Sequence, residues 1–386
     1  MTSAIVVRIC GLGMVTSLGT DSLTACAAAR AGLSRSAMLE NFRLRSEVAG
    51  TEEEVVGHRV DLLTRGFEGE PRLTRLLQGA LADLLSVNNS IRWTELRHGF
   101  YLSVPDPRRT GQGTALMDDE VAREAYAAAS AGDKPADPEL IARAMGTRIL
   151  ARAASASGWP AVAELSFCSV GGHAGGIRAL EAAKQDLQRG AVEVAVVVGV
   201  DSHIDEKTLD WLHASGRLKC DGMPVGLQPG EAAAALALSA DSSDPGGRRQ
   251  PPVVLEDVAI GHEGRDFFSG AVAYGEELAR VLSSVWKPEY TTMPWILTDQ
   301  NGEVYRATDW GHAAVRLRAL FPAFATTELW YPALAFGDTG AASSLVAVGV
   351  AARAWARHYA PSRRAVVLSA SDSGARAALA LSSPAE

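Results

Sequence analysis

The residues best suited to chemistry are one cysteine and three aspartates. Cys168 lies in Glu164-Leu165-Ser166-Phe167-Cys168-Ser169-Val170-Gly171-Gly172-His173-Ala174-Gly175-Gly176. A largely apolar lead-in over 159–165 reads as the approach of a strand. Behind the small-residue run, Ile177, Leu180, Ala183, Lys184 and Leu187 follow helical spacing, and Gly190 supplies a stop. A cysteine at such a strand-to-helix turn has its sulfur near unpaired helix amides, whose dipole favours thiolate over thiol. The alternative is an inert thiol in the core, since cysteine is among the most buried residue types. Asp299 heads Asp299-Gln300-Asn301-Gly302-Glu303, directly after an apolar run. Asp338 sits in Phe336-Gly337-Asp338-Thr339-Gly340-Ala341-Ala342, at the opening of a long apolar helix, where aspartate is also a good N-cap. Asp372 lies in Ser369-Ala370-Ser371-Asp372-Ser373-Gly374 near the C-terminus.

The elements that must position these groups alternate. Strands are expected at 4–9, 100–104, 192–200, 232–240, 253–260, 295–298, 364–370 and 376–381. Helices are expected at 21–31, 72–85, 119–131, 139–154, 271–285, 309–320 and 341–358. Residues 35–70 are charged and poorly periodic, and read as a surface excursion. The breaker-rich stretch 241–252 is the candidate boundary between two halves. Apolar strands alternating with amphipathic helices indicate an α/β architecture.

Composition narrows the function classes. At 386 residues the chain exceeds a usual single core. A net charge of −8 gives no electrostatic case for nucleic acid or an anionic membrane surface. No apolar run approaches the roughly 20 residues of a membrane span. Four scattered cysteines without paired spacing fit reduced thiols and a cytoplasmic setting. No H-E-x-x-H or Cys/His cluster occurs, so neither metal nor other cofactor is expected. Gly-x-Ser-x-Gly is absent, which speaks against a serine hydrolase. Gly11-Leu12-Gly13 lacks the third glycine of a dinucleotide loop. His58, His98, His312 and His358 read as solvated. No spacing ties His203, His213 or His262 to a base or ligand role.

Ser166-Phe167-Cys168-Ser169-Val170-Gly171-Gly172-His173-Ala174 resembles the nucleophile turn of the β-ketoacyl synthases, members of the thiolase superfamily. The Gly11–Gly19 loop, the 192–200 strand and the 216–233 loop with Gly230-Glu231-Ala232 match that family in the same order. The resemblance implies a thiolase-like fold of two pseudo-duplicated, βαβ-rich halves in alternating helix and sheet layers. Residues 1–240 would carry Cys168, and 253–386 would carry Asp299 and Asp338. It implies that Cys168 takes an acyl group, with Phe167, His173, Asn301, Asp372, Ser373 and Gly374 around the pocket. It also implies that Asp299 and Asp338 stand where the family has His, or His and Asn, to activate a malonyl thioester. Ionised aspartate only accepts hydrogen bonds. Two such groups beside the sulfur would raise the thiol pKa and oppose an enolate.

The expectation is therefore a catalytically reduced ketosynthase-like protein acting by binding, as an accessory to a protein partner. Asp-x-Asn-Gly-Glu and Gly-Asp-x-Gly-Ala-Ala resemble motifs of ketosynthase-like proteins associated with type VI secretion, where the role would be effector delivery. The alternative is a Cys168-dependent acyltransferase or thioesterase with Asp299 or Asp338 as base. A chain-length partner of an active synthase ranks behind both, because such partners usually lose the cysteine. A homodimer is expected, pairing through 159–165.

Overall fold

The computed structural model describes residues 5–45, 52–87, 91–106, 109, 137–220, 222–240, 253–287 and 293–383. The expected helix at 119–131 and the boundary at 241–252 lie outside the described residues. Twelve strands are described. They are β1 (Val7–Val15), β2 (Ala37–Arg45), β3 (Glu52–Gly57), β4 (His98–Ser103), β5 (Leu165–Ser169), β6 (Val194–Ser202), β7 (Glu231–Ala240), β8 (Val253–His262), β9 (Trp295–Thr298), β10 (Leu329–Trp330), β11 (Arg364–Ala370) and β12 (Ala375–Ser382). The helices are α1 (Ser22–Arg30), α2 (Asp61–Thr64), α3 (Gly69–Val87), α4 (Pro138–Ser157), α5 (Gly175–Gln188), α6 (Glu206–Ala214), α7 (Glu276–Val285), α8 (Val304–Leu320), α9 (Ala333–Phe336) and α10 (Ser343–Ala356).

Ten strands form one sheet in the order β10-β9-β11-β12-β8-β1-β7-β6-β4-β5. Its centre is the antiparallel contact of β1 with β8, Val7–Ile9 against Val253–Leu255. Outward from there the two arms mirror each other. In each, two antiparallel junctions come first and two parallel ones follow. Each arm also ends alike: an outermost strand (β5 or β10), a 3-10 turn (preceded in the second arm by the short helix α9), a buried helix (α5 or α10), then a return strand (β6 or β11). This is the α/β architecture expected from the strand–helix alternation, in the pseudo-duplicated form that the family resemblance implies.

Strand faces sort residues by parity, because successive side chains point to opposite sides. In β6, Ala195 and Val197 join a central core with α5 and α10, while Val194, Val196, Val198 and Val200 join an outer core with α3 and α4. In β11, Ala365 and Val367 face the centre, and Val366 and Leu368 face α7 and α8. The layers therefore run helix, sheet arm, helix, sheet arm, helix. Burial on both faces explains why β6 and β7 read as unbroken apolar runs. α10 is apolar nearly all round because it sits in the middle layer. Glycines let that layer close up: a Cβ on Gly199 would stand 3.0 Å from the Ala341 carbonyl oxygen, and one on Gly176 would meet Ser344.

Three expectations change. The 35–70 excursion is structured: β2 and β3 form a ribbon whose Leu39, Phe42 and Val55 pack on Ile204, Leu209 and Leu212 near α6. His58 is fully buried rather than solvated, and His98 is packed among Trp93, Phe100 and Trp159. The edge strand is Leu165–Ser169, several residues beyond the expected 159–165. Among the described residues no helix is long and apolar enough to cross a membrane.

Candidate functional site

The heads of α5 and α10 meet where the two arms face each other. His173 sits in the 3-10 turn Gly172–Ala174 that leads into α5. Ser371, from the β11–β12 turn, fixes it: its hydroxyl accepts from the Ala174 N–H at 2.9 Å and donates to the Gly171 carbonyl. Asp338 lies in the matching turn before α10. Gly337 and Gly340 both take positive φ there, and a side chain on Gly337 would collide with His58. Asp338 Oδ1 accepts from the Gly340 N–H at 2.8 Å and so braces the turn, but it is not the N-cap expected of it: Ala342 holds that position of α10, with no side-chain cap.

His173 Nε2 lies 2.8 Å from Asp338 Oδ1, and the His203 Nδ1–H donates to the Asp338 carbonyl at 2.9 Å. Asn301 donates to Asp338 Oδ2 and, at 2.7 Å, to Glu303. Asp299, at the end of β9, accepts from the Ala370 N–H at 2.8 Å.

Arg306, in the first turn of α8, ties these groups together. Its side chain is fully buried. Nε donates to Glu303, Nη1 to Asp299 and the Ala370 carbonyl, and Nη2 to Asp372 and His173 Nδ1. A guanidinium has five N–H donors, and all five are used. Arg217 repeats the arrangement beside it, bound to Glu303 and Asp372 and enclosed by the rings of Trp211, Phe267 and Tyr305, the nearest centroid at 4.3 Å. The Tyr305 hydroxyl donates to Asp372.

The electrostatics follow from this pairing. Burial would raise the Asp372 pKa, but Arg217 and Arg306 hold it far below the usual carboxylate range. Asp338 is likewise depressed against burial, by His173 and His203. Asp299 stays raised, because burial outweighs Arg306. The cavity among Asp299, Asp338, Thr339, Ser343 and Ser369 encloses about 10 Å³, room for about one water.

The structure brings His173, Asp299, Asn301, Asp338 and Asp372 together. Gly374, at φ 88°, closes the β11–β12 turn that carries Asp372, with half-buried Ser373 before it. Phe167 packs into the central core.

Cys168 is not part of this cluster. It lies within β5, on the face turned to α4. Its thiol donates to the Ala142 carbonyl at 3.4 Å and packs at Gly146 beside Leu102 and Leu165. The position at the helix head, expected for Cys168, belongs to His173, five residues later. The thiol pKa is pushed up from 9.0 to about 12 by burial first, with Arg143 opposing and Glu139 adding. The expected direction holds, but Asp299 and Asp338 are not its cause. Three units leave about 10³-fold less thiolate at neutral pH than an ordinary thiol has. Alkylation of Cys168 by iodoacetamide, followed by peptide mass spectrometry, should be slower than that of free cysteine by about this factor. Alkylation at the free-cysteine rate would contradict the burial.

Arg217, Glu303, Tyr305, Arg306 and His203 escaped the sequence reading. The signal for Arg306 was present: Glu303, Arg306 and Asp309 recur every third residue, one face of a helix. Starting that helix at 309 rather than 304 left Arg306 in a loop.

No family model matches the sequence, and no curated protein matches it. Solved structures do match in shape. An acyl-carrier protein–ketosynthase complex of a type II polyketide synthase aligns over 99% of this chain and 100% of its own, at 13% identity and TM-score 0.74. The oxazolomycin ketosynthase domain of Streptomyces albus aligns over 99% and 74%, at 14% identity and TM-score 0.71. A ketosynthase of Xenorhabdus doucetiae in complex with its chain length factor aligns over 98% of each chain, at 15% identity and TM-score 0.64. The fold is the thiolase-like fold of the ketosynthases. On that ketosynthase fold, the two helix heads that face each other carry His173 and Asp338, joined through Arg306 to Asp299 and Asp372.

Proposed function

We propose that this chain is a catalytically inert ketosynthase-fold subunit that works by binding. One observation carries the reading: the meeting point of the two arms is filled by interlocked ion pairs, and Cys168 stands outside it, on the α4 face of β5. An acyl acceptor needs an activated nucleophile, and a malonyl enolate needs donors aimed at it. Here Asp299 and Asp338 are acceptors, and every N–H of Arg306 is already engaged. The alternative, acyl transfer from Cys168, is disfavoured by the half-buried position of its thiol beneath α4 and its raised pKa.

The ground for setting aside a chain-length partner disappears as well. Cys168 is retained in the sequence but stands away from the helix head. Pairing with another ketosynthase-fold chain, a second copy or an active synthase, is supported by β5. It is the outermost strand of its arm, bonded to β4, and carries exposed Ser166 with exposed Val162 nearby. Among the described residues no strand pairs with its outer edge, and such an edge invites a partner strand. The effector-delivery role fits an inert binding subunit. Its two motifs contact each other here through Asn301 and Asp338.

The experiment is intact-mass spectrometry after incubation with acyl-coenzyme A and malonyl-coenzyme A, together with light scattering. The expected result is no covalent adduct and a dimer. An adduct on Cys168 would overturn the inert reading, and a monomer at micromolar concentration would overturn pairing with a second copy.

A further inference from the structure

His173 joins the two arms through one imidazole ring. On one side Nε2 faces Asp338 Oδ1 at 2.8 Å; on the other Nδ1 faces Arg306 Nη2 at 3.1 Å. A guanidinium can only donate, so Nδ1 must accept. Both contacts together require the neutral ring with its proton on Nε2.

The surroundings favour a second proton. Asp338 from the α10 turn, Asp299 from β9, Asp372 from the β11–β12 turn and Glu303 at the head of α8 are opposed by Arg306 and Arg217. Four carboxylates against two guanidiniums leave two negative charges in excess while the histidines are neutral. His203, which follows β6, is the other ring nearby, 3.8 Å from the same Asp338 oxygen.

We propose that His173 is a proton-operated contact between the arms: protonation turns Nδ1 from acceptor to donor, breaks its bond to Arg306, and leaves an imidazolium held by Asp338. The proton comes from solvent and no other bond changes. Arg306 keeps four of its five partners, so the cluster rearranges without coming apart. Burial and the Arg306 charge oppose the second proton, yet Asp338 outweighs them and His173 titrates above the ordinary imidazole value. The folded chain thus binds this proton more tightly than the unfolded chain. The resulting stability is fully present below the ordinary value of 6.5 and is lost as pH rises through the raised one. The contact would operate whether or not the chain is an inert subunit.

The test is a side-chain NMR titration of the full chain from about pH 5 to 9, with His173→Gln for assignment. The expected result is one of the eight histidines with a midpoint above 6.5 and an Nε2–H neutral form, with the Arg306 guanidinium signals moving at the same midpoint. A His173 ring that stays in one state throughout, or that titrates without moving Arg306, overturns the proposal. If His173→Gln does not fold, hydrogen exchange of the unmodified chain decides. Protection of the amides at 171–177 and 337–342, corrected for intrinsic rate, should differ by about tenfold on either side of the transition. Equal protection overturns the proposal.

Discussion

Replacing Arg306 by methionine should destabilise the protein by about 3–5 kcal/mol, the usual cost of removing one partner from a buried ion pair. Its side chain is fully buried and answers Asp299, Glu303 and Asp372 at once. Methionine fills similar space but returns none of the five N–H donors. Three carboxylates then lose a cation, with Asp299 and Glu303 buried and Asp372 only partly exposed. A domain stability of about 5–15 kcal/mol leaves little after such a loss. Lysine is the informative comparison. It restores the charge, but its three donors on a single nitrogen cannot reproduce the planar fork, so an intermediate loss is expected. Urea denaturation of both variants measures this. A methionine variant within about 1 kcal/mol of the parent would show that the carboxylates are not charged together, and the account of the site would fail.

The size of that effect does not make the cluster a device for stability. A well-packed apolar replacement of the whole set could serve as well, because desolvating ions costs much of what their attraction returns. The cluster fills the space between the two helix heads.

The fold was legible in the sequence because both faces of most strands are buried. That burial writes runs such as 194–202 and 231–240 into the chain as unmistakable apolar blocks. The turn before α10 was legible for a local reason. Gly337 and Gly340 take positive φ and Asp338 accepts from the Gly340 N–H, so local backbone conformation accounts for all three residues. The position of Cys168 was not legible. Whether a thiol lies at a helix head or one turn earlier depends on where β5 ends, and the small residues 169–172 carry no periodicity to mark it. A register shift at Ser166 then decides: Leu165 pairs with Phe100 but Phe167 with Tyr101, so Cys168 falls on the α4 face of β5 beside Leu165 and away from the site. The network through Arg217 and Arg306 was invisible for another reason. Its members are scattered from 173 to 372, and only the fold brings them together.

The largest expected effect concerns the reaction that this fold performs elsewhere. In the proposed reading no thiolate stands at the helix head to accept an acyl group. Asp299 and Asp338 then replace two oxyanion donors, and each missing donor costs about 10²–10³ in rate. The product of two such losses, about 10⁴–10⁶, places condensation below detection even if substrate could enter. Release of carbon dioxide from a malonyl thioester, measured for the unmodified chain and for Cys168→Ala, tests this most directly. The account predicts no release above buffer from either protein. Release by the unmodified chain that disappears in Cys168→Ala would show a working condensing site and contradict it.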